Sequence, residues 1–159
     1  MFTDTLRPDN ATDREIILTR LIDAPRDLVF GAWLTPERVN RWWGPNGFTT
    51  TTLEMDVRPG GIWRFIMHGP DGTDYDNRIV YSEVVPNERL VYAHGRDIDD
   101  DPTLFHVTVT FSEEDGKTRI TMRSLFVSAE ERRRVEGFGA IELGNQTLAS
   151  LEAFVAEGA

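Results

Sequence analysis

The sequence predicts an α+β domain in which a mostly antiparallel sheet is followed by one long C-terminal helix. Two patterns and one bound carry that expectation. Between residues 49 and 126 apolar residues alternate with polar ones in short runs separated by turn residues, which is the signature of hairpin-connected strands. After Ser128 the period changes to that of a helix, beginning with the capping-box pattern Ser128-Ala129-Glu130-Glu131. The bound is size: 159 residues with 40% hydrophobic side chains suffice for one core, and a chain of this length buries about 70% of its unfolded surface.

The elements follow in order. Residues 1–12 are polar and aperiodic, with Pro8, Asp9 and Asn10, and read as a flexible arm ahead of a domain over residues 13–159. Glu15 to Ile22 is rich in β-branched residues and reads as a strand. Pro25 starts a short helix with Val29 and Trp33 on one face, and Thr35-Pro36 starts a second that ends in Trp42-Trp43-Gly44-Pro45. Thr49 to Val57 is the next strand, with Leu53, Met55 and Val57 assigned to one face. Ile62 to His68 follows Pro59-Gly60-Gly61 and puts Trp63, Phe65 and Met67 inward. Strands at 73–85 and 89–94 are joined at Pro86-Asn87-Glu88, and those at 104–111 and 118–126 at Asp115-Gly116. The acidic stretch from Asp97 to Pro102 reads as a solvated loop. The final helix is expected near residues 129–156, with Gly137, Ala140, Ile141, Gly144, Leu148, Leu151 and Val155 on its buried side.

Composition removes several function classes. Seventeen basic residues against 27 acidic ones give a net charge of −10, which repels phosphate backbones, so no nucleic-acid partner is expected. There is no cysteine, hence no disulfide, thiol nucleophile or thiolate metal site. Lys117 is the only lysine and lies in a turn, which disfavours Schiff-base chemistry. No apolar run approaches 18 residues and the N-terminus lacks a basic flank, so neither membrane insertion nor a signal peptide is expected, and the cytoplasm is the expected location. His68, His94 and His106 fall on separate strands without ligand spacing, and no metal or other cofactor is expected.

Chemistry can concentrate between sheet and helix. Gly137 and Gly144 interrupt the helix at a cost of about 1 kcal/mol each relative to alanine. Either they admit a large sheet aromatic such as Trp63, or they leave a hollow. Tyr75, Asn77, Ile79 and Tyr81 share one parity and Leu90, Tyr92 and His94 another; if both sets face in, the three tyrosines and His94 border that hollow. Glu54, Asp56, Asp74 and Asp76 have outward parity, so His94 has no evident orienting carboxylate.

Ordered motifs along residues 14–157 resemble a known family. These are Trp42-Trp43-Gly44-Pro45, Gly60-Gly61-x-Trp63-x-Phe65, Pro86-x-x-Arg89-Leu90-x-Tyr92 and Asn145-Gln146-x-Leu148-x-x-Leu151. The chain is similar to the activator of heat-shock-protein-90 ATPase homologue family of the START-like (SRPBCC) superfamily. That resemblance implies a helix-grip fold, as in START domains and the birch-pollen allergen, with a curved antiparallel sheet around the C-terminal helix and a hydrophobic cavity between them.

The expected function is binding of a small hydrophobic or aromatic molecule, by a monomer or homodimer. The ligand-binding candidates are Trp43, Trp63, Phe65, Met67, Tyr81, Tyr92, His94, Met122, Ile141, Gly144 and Asn145. An enzyme of cyclase or hydrolase type using His94 and tyrosines is the alternative from the residues. A chaperone-interacting domain acting on the heat-shock-protein-90 ATPase is the alternative from the resemblance. The residues favour binding over catalysis.

Overall fold

The computed structural model describes residues 13–158, so the expected arm over residues 1–12 lies outside the described residues. The chain runs β1 (Glu15–Ile22), α1 (Arg26–Gly31), α2 (Pro36–Trp42), β2 (Thr49–Met55), β3 (Ile62–His68), β4 (Asp74–Val85), β5 (Arg89–Arg96), β6 (Phe105–Glu114), β7 (Lys117–Leu125), α3 (Ala129–Gly137) and α4 (Ala140–Ala156). The seven strands form one sheet in the order β1-β7-β6-β5-β4-β3-β2. Every pairing is antiparallel. Strands β2 to β7 form a meander. After β1 the chain passes through α1 and α2 to the opposite edge, and β1 then closes against β7. The curved sheet grips α4, whose Leu148, Leu151, Phe154 and Val155 are buried against it.

Alternation places the inner face as the sequence indicates. Trp63 and Phe65 of β3, Ile79 and Tyr81 of β4, Leu90 and Tyr92 of β5 and Val107, Val109 and Phe111 of β6 are all buried. Removing side chains of this size from water is worth about 1.5–3 kcal/mol each. Four tryptophans form one cluster at the α2 end. Ring centroids are 4.9 Å apart for Trp33–Trp42, 5.5 Å for Trp42–Trp43 and 4.8 Å for Trp43–Trp63. Trp42 Nε1 donates to Ala32 O at 3.0 Å and Trp63 Nε1 to Thr52 Oγ1 at 3.1 Å, which ties the cluster to α1 and β2.

Three local expectations are corrected. Leu53 does not share a face with Met55: the register shifts between Thr52 and Glu54, and the extra residue leaves Leu53 49% exposed. The inward residues of β2 are instead Thr50, Thr52 and Met55, opposite Met67, Phe65 and Trp63.

The stretch from Asp97 to Pro102 is not simply solvated. Asp97 accepts from Arg64 and Arg78, each at 2.9 Å, and pins the loop to β3 and β4. Asp101 is buried and accepts from the backbone N–H of Arg96 at 2.8 Å and of Thr103 at 3.0 Å.

The C-terminal helix is two helices. Ser128 caps the first as expected, its Oγ accepting from Glu131 N at 3.0 Å. Gly139 then adopts φ +88°, a left-handed conformation that ends α3, and α4 starts afresh. The break resets the helical phase, which is why Gly137 is exposed with open space around it rather than buried.

Candidate functional site

A cavity of about 240 Å³ lies between the sheet and the helices. Its floor is the β1–β7–β6–β5 half of the sheet, through Ile16 and Leu18, Met122 and Ser124, Phe105 and Val107, and Tyr92 and His94. Val135 of α3 and Ala140, Gly144 and Thr147 of α4 roof it, and Trp43 and Phe126 close it. The hollow sits there because the other half of the sheet is filled: the tryptophan cluster with Phe65 occupies the space over β2 and β3. Small residues on the first turns of α4 leave the roof thin. A more open groove of about 600 Å³ shares Ala140, Gly144 and Thr147 and reaches the surface between Phe48, Met67, Tyr75, Phe138 and Leu143.

Gly144 serves both roles the sequence left open, with a different neighbour. It lines the cavity, and a Cβ built on it would stand 2.4 Å from Leu18 Cδ1. The close approach is therefore to an aliphatic side chain of β1, not to Trp63.

His94 is the polar centre of the hollow. Its ring packs among Trp43, Phe65 and Phe105, with centroids 6.3, 5.8 and 4.9 Å away. Asn77 Nδ2 donates to Tyr75 O at 2.9 Å, which turns Asn77 Oδ1 toward His94 Nε2, also at 2.9 Å. Nε2 therefore carries the proton and Nδ1 the lone pair in the neutral ring. Burial pushes the imidazole down to about 4, against the opposing pull of Asp101, so it is neutral near pH 7. Burial also disfavours the charge on Asp101, but the donors on Arg96 and Thr103 outweigh it and hold the carboxyl well below its usual range. No periodic pattern marks this carboxylate as a neighbour of His94, because Asp101 lies in an irregular loop. Burial raises the phenols of Tyr81 and Tyr92, and the Tyr92 hydroxyl has no hydrogen-bond partner among the described residues.

Of the sequence candidates, Trp43, Tyr92, His94, Met122 and Gly144 meet at the cavity, and Met67 lines the adjoining groove. Trp63, Phe65 and Tyr81 lie in the packed core and do not line it. Ile141 is 36% exposed on the first turn of α4, and neither it nor Asn145 borders either space. Sequence reasoning missed Ile16, Leu18, Val135 and Phe126 as walls. Ile16 and Leu18 sit in an apolar run whose parity is unreadable, and Val135 precedes the break at Gly139.

The family model described as Activator of Hsp90 ATPase homolog 1-like protein matches residues 23–156. The chain belongs to this family. The fold is accordingly that of a START-like domain, and solved structures agree. A protein from Mycobacterium smegmatis is 25% identical with a TM-score of 0.84, over 96% of this chain and 97% of that one. One from Nitrosomonas europaea is 21% identical with a TM-score of 0.83, over 92% and 96%. The AHSA1 protein from Silicibacter pomeroyi is 22% identical with a TM-score of 0.72, over 91% and 99%. No match was found among curated proteins. Among the described residues no helix is long and apolar enough to cross a membrane.

Proposed function

We propose that this START-like member of the family binds a small, neutral, hydrophobic or aromatic molecule between the sheet and α4. The observation that carries the reading is the cavity itself. Protein interiors pack to crystal-like density, and an apolar void of about 150 Å³ is already large enough to take up benzene. About 240 Å³ walled mainly by Leu, Ile, Val, Met and aromatic side chains therefore favours an apolar occupant. No lining residue carries a formal charge at pH 7, so an ionised ligand would lose its hydration without gaining a counterion. His94 and Ser124 bring polar groups to this lining, which can orient a ligand hydroxyl or amide. An imidazole at about 4 is a weak base at neutral pH, which favours binding over proton transfer.

Native mass spectrometry of freshly purified protein is expected to show a retained small molecule. Naphthalene, titrated while tryptophan emission is followed, is expected to perturb Trp43. Gly144→Leu should abolish that response while a cooperative thermal transition persists, because Leu18 and the new side chain then fill the space. A wild-type protein with neither a retained mass nor a naphthalene response overturns the reading.

A further inference from the structure

We propose that Thr51, His68 and Asp74, on the outer face of the sheet, form a nucleophilic triad that accepts an acyl group from a small, neutral, activated carboxylic ester. The site lies on the face of the sheet opposite the hollow and is independent of it. Thr51 Oγ1 is 2.8 Å from His68 Nε2, and His68 Nδ1 is 2.7 Å from Asp74 Oδ1. An ionised carboxylate can only accept, so Nδ1 carries the proton. In the neutral ring Nε2 then holds the lone pair, and the Thr51 hydroxyl donates to it. This is the arrangement an activated hydroxyl requires: nucleophile on base, base on an orienting acid.

The ladder sets these positions. Asp74 lies directly across from His68, while Thr51 sits opposite Ile66, the next outward residue of β3. The three polar groups thus border Ile66, a half-buried apolar seat for the acyl group. Among the described residues β2 pairs only with β3, so alternate backbone N–H groups of this strand point away from the sheet. Asp76 lies across from Ile66 on the other side, and the next cations on this face, Arg64 and Arg78, are paired with Glu54, Asp97 and Asp99, so the carboxylates of Asp74 and Asp76 disfavour anionic esters.

In the step, the Thr51 hydroxyl proton passes to His68 Nε2 as Oγ1 bonds to the carbonyl carbon. The bond to the leaving oxygen breaks, and the imidazolium returns the proton to the departing alcohol or phenol. Water, deprotonated in turn by His68, cleaves the threonine ester, releases the carboxylic acid and restores the hydroxyl. Asp74 acts through His68 and is a positioning residue.

The test uses p-nitrophenyl acetate with the full chain. Wild type is expected to release nitrophenolate and to carry an acetyl group on Thr51 in peptide mass spectra. Thr51→Val and His68→Gln should each lower turnover by about tenfold or more and remove that acetyl group. Asp74→Asn should lower kcat with KM unchanged. All three side chains are on the surface, and unchanged circular dichroism checks the fold. Acetylation confined to Lys117 and the amino terminus overturns the proposal, as does Thr51→Val turning over at the wild-type rate, which would assign the reaction to the imidazole alone.

Discussion

His94 couples the hollow to pH. Its imidazole is lowered to about 4 in the folded protein from 6.5 in the free residue, chiefly by burial. Between those values the unfolded chain binds the proton and the folded one does not, so stability rises with pH across this window. The contribution is fully present above about 6.5 and is lost progressively as the pH falls toward 4, amounting to about 3 kcal/mol in all. Asp101 acts in a lower window, its contribution being present above 3.8 and lost below it. Urea midpoints measured from pH 4 to pH 7 should therefore rise steeply for wild type and flatten for His94→Gln. An equally steep dependence in the variant would show that the imidazole titrates freely. Parity along β5 was enough to place His94 inward. Its neutral state was not legible, because it depends on Asn77, Phe105 and Trp43, from three other segments.

At the scale of elements, strands were more legible than helices. Alternation has a period of two and survives in short runs, so all seven strands were readable, with Leu53 lost to a bulge that alternation cannot show. The C-terminal helices were read as one because both are helical in pattern and only Phe138 and Gly139 separate them. Gly139 decides the matter with φ +88°, a conformation that costs other residues about 1–2 kcal/mol. Gly139→Ala should lower the melting temperature by a few degrees, whereas Gly137→Ala, at a helical position with open space around it, should be neutral or stabilising. Equal effects from the two substitutions would mean that the helix is continuous. The break also sets the roof of the cavity, since it lets Val135 of α3 and Ala140 of α4 face the same hollow.

Across the whole molecule, the inner face of one sheet is divided between a filled half and a hollow half. Phe65 lies at the boundary, stacked on Trp63 with ring centroids 4.1 Å apart and close to Trp43 and His94. Phe65→Ala should cost about 3–5 kcal/mol, read as a lower denaturant midpoint, because the rigid aromatic neighbours cannot collapse into the space. Met122→Ala, on the wall of the existing cavity, should cost less, since fewer contacts are lost there. A reversed order would move the boundary between the halves.

The sequence by itself determined the α+β class, the mostly antiparallel sheet, the turns and the parity of most strands, because these depend on residues within a few positions of one another. It also carried the family resemblance through the spacing of its tryptophans and glycines. Only the tertiary structure decided which inward side chains fill space and which line it. Trp63 and Phe65 share the parity of the lining residues, yet the end of α2 delivers Trp43 onto them, backed by Trp42, and leaves nothing comparable over Phe105, Val107 and Met122. Asp101 beside His94 and the contact of Thr51, His68 and Asp74 were hidden for the same reason. Each joins residues whose meeting depends on loop path and strand register, and neither leaves a periodic trace in the chain.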